Sequence, residues 1–89
     1  MARKTYFLPR KNLGLAIGVD PFLVPNDPSP RTFLQIWDTR EYEEPCNEGP
    51  DGFNNLMVGK IGLEANEAFR ISRQHGFEIP ETEFYEIFD

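Results

Sequence analysis

The stretch Leu13-Gly14-Leu15-Ala16-Ile17-Gly18-Val19 decides the fold. Its odd positions are large and aliphatic, and its even positions are glycine or alanine. Alternation with period two is the mark of a β-strand, because successive side chains point to opposite faces. One face of this strand is bulky. The other is nearly bare, so a neighbour can pack closely against it, and the expected neighbour is a helix.

Working outward, Thr5 to Leu8 reads as a short strand stopped by Pro9, which lacks a ladder donor and so confines the strand to an edge. Asp20 to Pro30 carries Pro21, Pro25, Pro28 and Pro30 and reads as a connection of restricted φ, with Phe22, Leu23 and Val24 tucked onto the core. Thr32 to Trp37 places Phe33 and Trp37 on one face and Leu34 and Ile36 on the other, the pattern of a central strand covered on both sides. Phe53 to Ile61 is expected to pair antiparallel with it. Between them, Thr39 to Asp51 reads as a long acidic loop containing Pro45, Gly49 and Pro50.

Leu63 to His75 has the strongest helical pattern. Ala65, Ala68, Phe69, Ile71 and Ser72 share one arc, while Asn66, Glu67, Arg70, Arg73 and Gln74 fill the other. Gly76 stands at the position of a helix-ending glycine, with Phe77 beside it. Ile79-Pro80 followed by Glu81 and Glu83 is a helix start, and Phe84, Ile87 and Phe88 recur at helical spacing. A strand over the same residues is the competing reading. The expected fold is therefore α+β: a small antiparallel sheet of three or four strands, one main amphipathic helix on one face and a short C-terminal helix, all in a single domain over residues 1–89.

Composition excludes several classes of function. The chain has 89 residues, 39% hydrophobic and 27% charged, with a net charge of −6. That is too apolar for an acidic disordered chain and too acidic for a protein that binds nucleic acid directly. A single cysteine, Cys46, rules out an internal disulfide. No apolar run approaches the roughly 20 residues needed to span a bilayer, and Met1 to Arg10 lacks the hydrophobic block of a signal peptide. A cytoplasmic location without membrane attachment is the expectation.

Charge is unevenly spread. Arg3, Lys4, Arg10 and Lys11 open the chain without an acid among them, whereas residues 12–89 hold fifteen acids and five bases. A basic strand edge of this kind is expected to pair with the protein's own acids. The acids gather in two runs. One includes Glu43, Glu44 and Glu48. The other includes Glu81, Glu83 and Glu86, interleaved with Tyr85 and Phe88. An acidic stripe with aromatics suits a groove lined by bases.

Catalytic and metal-site patterns are weak by comparison. His75 has no histidine partner, and acidic neighbours would raise the Cys46 thiol pKa, which disfavours a Cys–His pair. The acidic loop lacks the order of a calcium-binding loop. The scattered glycines make no phosphate-binding motif. No cofactor is called for.

The expected function is a non-enzymatic, acidic interaction module. It binds a basic surface on a larger protein, a nucleic-acid-binding groove being one such surface, and inhibits or regulates that protein. The partner-binding residues are Glu43, Glu44, Glu48, Glu81, Glu83, Tyr85, Glu86 and Phe88. The alternatives are a structural subunit of a homo-oligomer or larger assembly, and a small-ligand or divalent-metal-binding protein or small enzyme.

Overall fold

The computed structural model describes residues 3–21, 23, 24, 26–43 and 56–88. Four antiparallel strands run in sequence order across one sheet: β1 (Arg3–Leu8), β2 (Leu13–Asp20), β3 (Arg31–Asp38) and β4 (Val58–Ile61). Two helices follow, α1 (Ala65–Gln74) and α2 (Glu81–Phe88). A single 3-10 turn at Pro9–Lys11 joins β1 to β2 and ends on Asn12 in the left-handed region, at φ 55°. Pro9 thus stops β1 by removing the next donor.

The register sorts the sheet into two faces. Tyr6 pairs with Leu15, and Leu15 with Ile36; Lys4 pairs with Ile17, and Ile17 with Leu34. This aliphatic face is packed by the helices. Leu15, Ile17, Leu34 and Ile36 form one core with Ala65 and Ala68 of α1, Phe84 and Ile87 of α2, and the connecting residues Phe77 and Ile79. Burying a large apolar side chain completely is worth about 1.5–3 kcal/mol, so this cluster is the main source of stability.

The bare face of β2 has a different cover from the one expected. The helices lie on the aliphatic side, and the neighbour of Gly14 is an indole. Phe7 of β1, Gly14 of β2 and Trp37 of β3 form one row across three strands. Strands two apart are separated by roughly 9.5 Å, too far for ordinary cross-strand contact. With no side chain on Gly14, Trp37 leans across it and meets Phe7 edge-on, with ring centroids 6.1 Å apart at 84°. A Cβ at Gly14 would lie 2.4 Å from the indole. Trp37 is only 1% exposed, and it clusters with Ala16, Phe33 and Leu23, supported by Leu56 and Ile61. Leu23 accordingly tucks onto the core as its sequence suggests, while Phe22 lies outside the described residues.

The remaining boundaries follow local chemistry. β3 is central and is covered on both faces from Phe33 to Trp37. β4 is shorter than the Phe53–Ile61 pattern: Leu56 and Met57 form a bend, and residues 53–55 lie outside the described residues. α1 starts after Glu64, whose N–H donates to the Glu67 carboxylate at 3.4 Å. It ends at His75 and Gly76, the latter at φ 94°, with the Phe77 N–H returning to the Ser72 carbonyl at 3.0 Å. The left-handed conformation at Gly76 is one that a side chain would strain. The expected C-terminal helix forms as α2 rather than the competing strand, because its 3.6-residue period sends Phe84 and Ile87 to the same side, onto the aliphatic face.

Three substitutions at two positions test the face assignment. Trp37→Ala should cost about 3–5 kcal/mol, enough to unfold a domain of this size. Gly14→Ala should cost about 1–3 kcal/mol through overpacking, and Trp37→Phe in the same chain should relieve part of that cost. Urea denaturation of the single and double variants measures both. Full additivity of Gly14→Ala and Trp37→Phe would show that the indole does not occupy the space above Gly14.

Candidate interaction surface on the terminal helix

Helix α2 is amphipathic by a simple division of labour. Phe84 and Ile87 are buried, and Phe88 is half-buried with its ring edge-on to Phe84, centroids 6.4 Å apart at 73°. Phe84 also meets Phe69 of α1 edge-on at 6.2 Å. The outer face carries Glu81, Thr82, Tyr85 and Glu86, all exposed. The acids Glu81 and Glu83 sit in the first turn, where they favour the helix dipole. No lysine or arginine occurs anywhere in residues 74–88, so these acids have no basic neighbour along the chain.

Tyr85 is the aromatic centre of this face. Its side chain is 46% exposed, and its hydroxyl donates to Glu81 Oε1, one helical turn earlier, at 3.2 Å. That bond lays the ring along the helix surface beside the carboxylate. A large amphipathic ring held in place next to negative charge is well suited to contact with a cationic side chain.

Glu83 takes a different place from its acidic neighbours. It is half-buried and accepts a hydrogen bond from the Tyr6 hydroxyl on β1, 77 residues earlier in the chain. Burial raises the Tyr6 phenol pKa above its ordinary value of 10.0; the hydrogen bond to Glu83 and the nearby charges of Glu83 and Glu86 act in the same direction. Glu83 therefore fastens α2 to the edge of the sheet. Nothing in the local sequence around either residue signals this pair.

Of the candidate residues in the other acidic run, only Glu43 is among the described residues, and it does not join this surface. Glu43 is exposed just beyond the C-terminal end of β3. The last turn of α2 instead borders Thr32, at the start of that strand. Glu44, Glu48 and Cys46 lie outside the described residues. Asp38, which belongs to the same run, is neutralised by Arg40: the Arg40 N–H and Nε donate to Asp38 Oδ1 at 2.8 and 3.1 Å, and Nη2 to Oδ2 at 2.9 Å. The Arg40 side-chain hydrogen bond is the main reason the Asp38 carboxyl titrates below its usual range.

A second such clamp closes the proline-rich connection. The Ser29 N–H donates to Asp27 Oδ1 at 3.0 Å and Arg31 Nη2 to Oδ2 at 2.6 Å. The hydrogen bonds from Ser29, with that from Arg31, hold the Asp27 carboxyl down to about 2. These are the two ion pairs among the described residues. Neither involves Arg3, Lys4, Arg10 or Lys11, so among the described residues the basic start of the chain does not form the ion pairs with internal acids expected of it. Lys11 instead extends over Gly76, at the C-terminal end of α1, where a cation complements the dipole.

Two cavities open beside the helices. One, of about 360 Å³, lies where α1 begins and α2 ends, bounded by Thr32, the 63–66 segment, Tyr85 and Phe88. The other, of about 610 Å³, is bounded by Leu8, Pro9, Arg10, Lys11 and Glu78. Among the described residues no group of three or more His, Cys, Asp or Glu side chains is placed to hold a metal ion, and no helix is long and apolar enough to cross a membrane. His75 caps α1, with Nδ1 donating to the Ile71 carbonyl at 2.9 Å. No protein-family model, curated protein or solved structure matches this chain; the class it defines is an α+β fold of a four-stranded antiparallel meander with two helices.

The Tyr6–Glu83 contact has a pH signature. The phenol pKa is higher in the folded chain than in the unfolded one, so its contribution is fully present below pH 10 and is lost as the pH rises through the folded value. Stability of the native chain should therefore fall above about pH 10 more steeply than that of Tyr6→Phe. At neutral pH that variant should be less stable by about 1 kcal/mol. Urea denaturation from pH 7 to 11 measures both. Parallel curves for the two proteins would remove Glu83 from this structural role.

Proposed function

We propose that the chain is a non-enzymatic interaction module that binds a basic surface of a larger protein through the outer face of α2, and so inhibits or regulates that protein. One observation carries the reading: α2 turns Phe84 and Ile87 inward and leaves Glu81, Tyr85 and Glu86 exposed together with no base among them. Exposed acids accelerate encounter with a positive surface and select against negative ones. The exposed aromatic supplies the contact area that charge alone lacks. Glu43, with Glu44 and Glu48 from the central run, acts as a second, steering patch. Phe88 contributes its accessible edge, and Glu83 contributes by fixing the helix. A groove that binds nucleic acid is one kind of basic surface this face suits.

A homo-oligomer is the second reading, favoured by the open edge of β1 and by Phe7 and Met57, which are 55% and 57% exposed. An open strand edge with an apolar residue on it is a template for pairing with another copy.

The two readings separate experimentally. Immobilised chain should retain a larger protein from its native cell that elutes as salt rises from about 0.05 to 0.5 M, since screening lengths shrink from beyond 10 Å to a few ångströms. Glu81→Lys with Glu86→Lys should abolish retention while leaving folding stability within about 1 kcal/mol. Glu43→Lys should mainly slow association with the purified partner, leaving its dissociation unchanged. Retention that ignores both charge reversals would overturn the docking reading. Tight, salt-insensitive self-association in sedimentation velocity would establish the oligomer instead.

A further inference from the structure

The 360 Å³ cavity at the end of α2 has a lining suited to one kind of occupant. Its floor is apolar, from Leu63 and Ala65, and two aromatic rings wall it, Tyr85 and Phe88. Glu64 and Asn66, both exposed, complete the lining and supply its carboxylate and amide. No lysine or arginine lines it. The Thr32 hydroxyl is already committed to the Leu63 carbonyl, at 2.6 Å, so it ties the floor to β3 and leaves recognition to the other groups.

The electrostatics favour a cation. The last turn of α2, the negative end of its dipole, contributes Tyr85 and Phe88 to the lining and contains no basic residue. The opposing influence is the N-terminus of α1, equivalent to roughly +0.5 of a charge. Two full negative charges, Glu64 and Glu67, sit on that terminus, and Glu67 further accepts the Glu64 N–H. An anion is thus repelled. A purely apolar side chain would desolvate Glu64 without compensation. Size narrows the choice, because the cavity is at the lower end of the roughly 300–1,000 Å³ typical of ligand sites, room for one long side chain.

We propose that this cavity seats an arginine side chain of the partner, with its guanidinium between the Tyr85 ring and the Glu64 carboxylate. A guanidinium is planar, stacks on aromatic faces, forks to carboxylates and sheds water more readily than an ammonium group. The assignment rests on the reading of α2 as the docking helix and places the anchoring contact at its C-terminal end. Glu81 and Glu86 then steer the partner in, and Tyr85 belongs to both the steering face and the socket.

The test uses the full chain, isotopically labelled, and three probes: N-acetyl-arginine amide, its neutral isostere N-acetyl-citrulline amide, and N-acetyl-lysine amide. The arginine probe should shift amide resonances within residues 63–66 and 85–88, the lysine probe less, and the citrulline probe least. Glu64→Gln and Tyr85→Leu should each weaken the arginine response about threefold, the scale of one exposed cation–π or ion-pair contact, with the dispersion of the rest of the spectrum showing that the fold is intact. Equal shifts with citrulline, or arginine shifts spread evenly to Glu41 and Glu43, would overturn the assignment. Failure here with partner capture still sensitive to Glu81 and Glu86 would remove the socket alone. Capture insensitive to those acids would remove the docking helix itself.

Discussion

Five consecutive side chains of β3, Phe33 to Trp37, are kept from water, and a pleated strand can achieve that only if both of its faces are covered. The rest of the architecture answers this demand. One cover is helical, the other aromatic. The helices bring Ala65, Ala68, Phe84 and Ile87 onto the aliphatic face. On the other side the space above Gly14 lets the Trp37 indole bridge to Phe7, so three strands are joined by a ring contact as well as by their ladder. A single methyl group at Gly14 would close that space. The smallest residue in β2 thus governs the placement of the largest residue in the protein.

The same economy explains why α2 can offer a binding face. A helix of eight residues is too short to be stable by itself in water. Here Phe84 lies between Phe69 and Phe88 in edge-on contacts, and the Tyr6–Glu83 hydrogen bond fixes the helix to the sheet from its other flank. With its inner side so occupied, α2 has its outer side free to carry charge for which the fold has no use. Acids unsupported by bases are mildly unfavourable to a compact state through self-repulsion. Their concentration on this one anchored element is the reason to read them as a surface for a partner.

Ion pairing inside the molecule is local and serves the connections. Asp27 with Arg31 and Asp38 with Arg40 are separated by four and two residues, and each stiffens a turn next to β3. Exposed pairs of this kind contribute little to global stability. They do remove two acids and two bases from the surface inventory, which leaves the exposed acids of α2 beside Tyr85, and Glu41 and Glu43 beside Tyr42, outside any ion pair among the described residues.

Much of this was legible in the chain. The alternation of Leu13 to Val19, the two-faced pattern of Thr32 to Trp37, the stop at Pro9 and the helix-ending Gly76 each act through the backbone geometry of their own neighbourhood, so their positions in sequence are enough to place them. The inward Phe84 and Ile87 and the outward Tyr85 follow from helical period in the same way. What the sequence left undecided is what meets across distance. It assigned a helix to the bare face of β2, where tertiary packing put Trp37. It grouped Glu83 with its acidic neighbours, where the fold gave it Tyr6. It expected the first four bases to find internal acids, and folding left them without such partners among the described residues. It offered no sign of the cavity between the start of α1 and the end of α2. Each of these depends on two segments brought together by strand order and helix docking, and periodicity within one segment carries no information about the side chain that another will present to it.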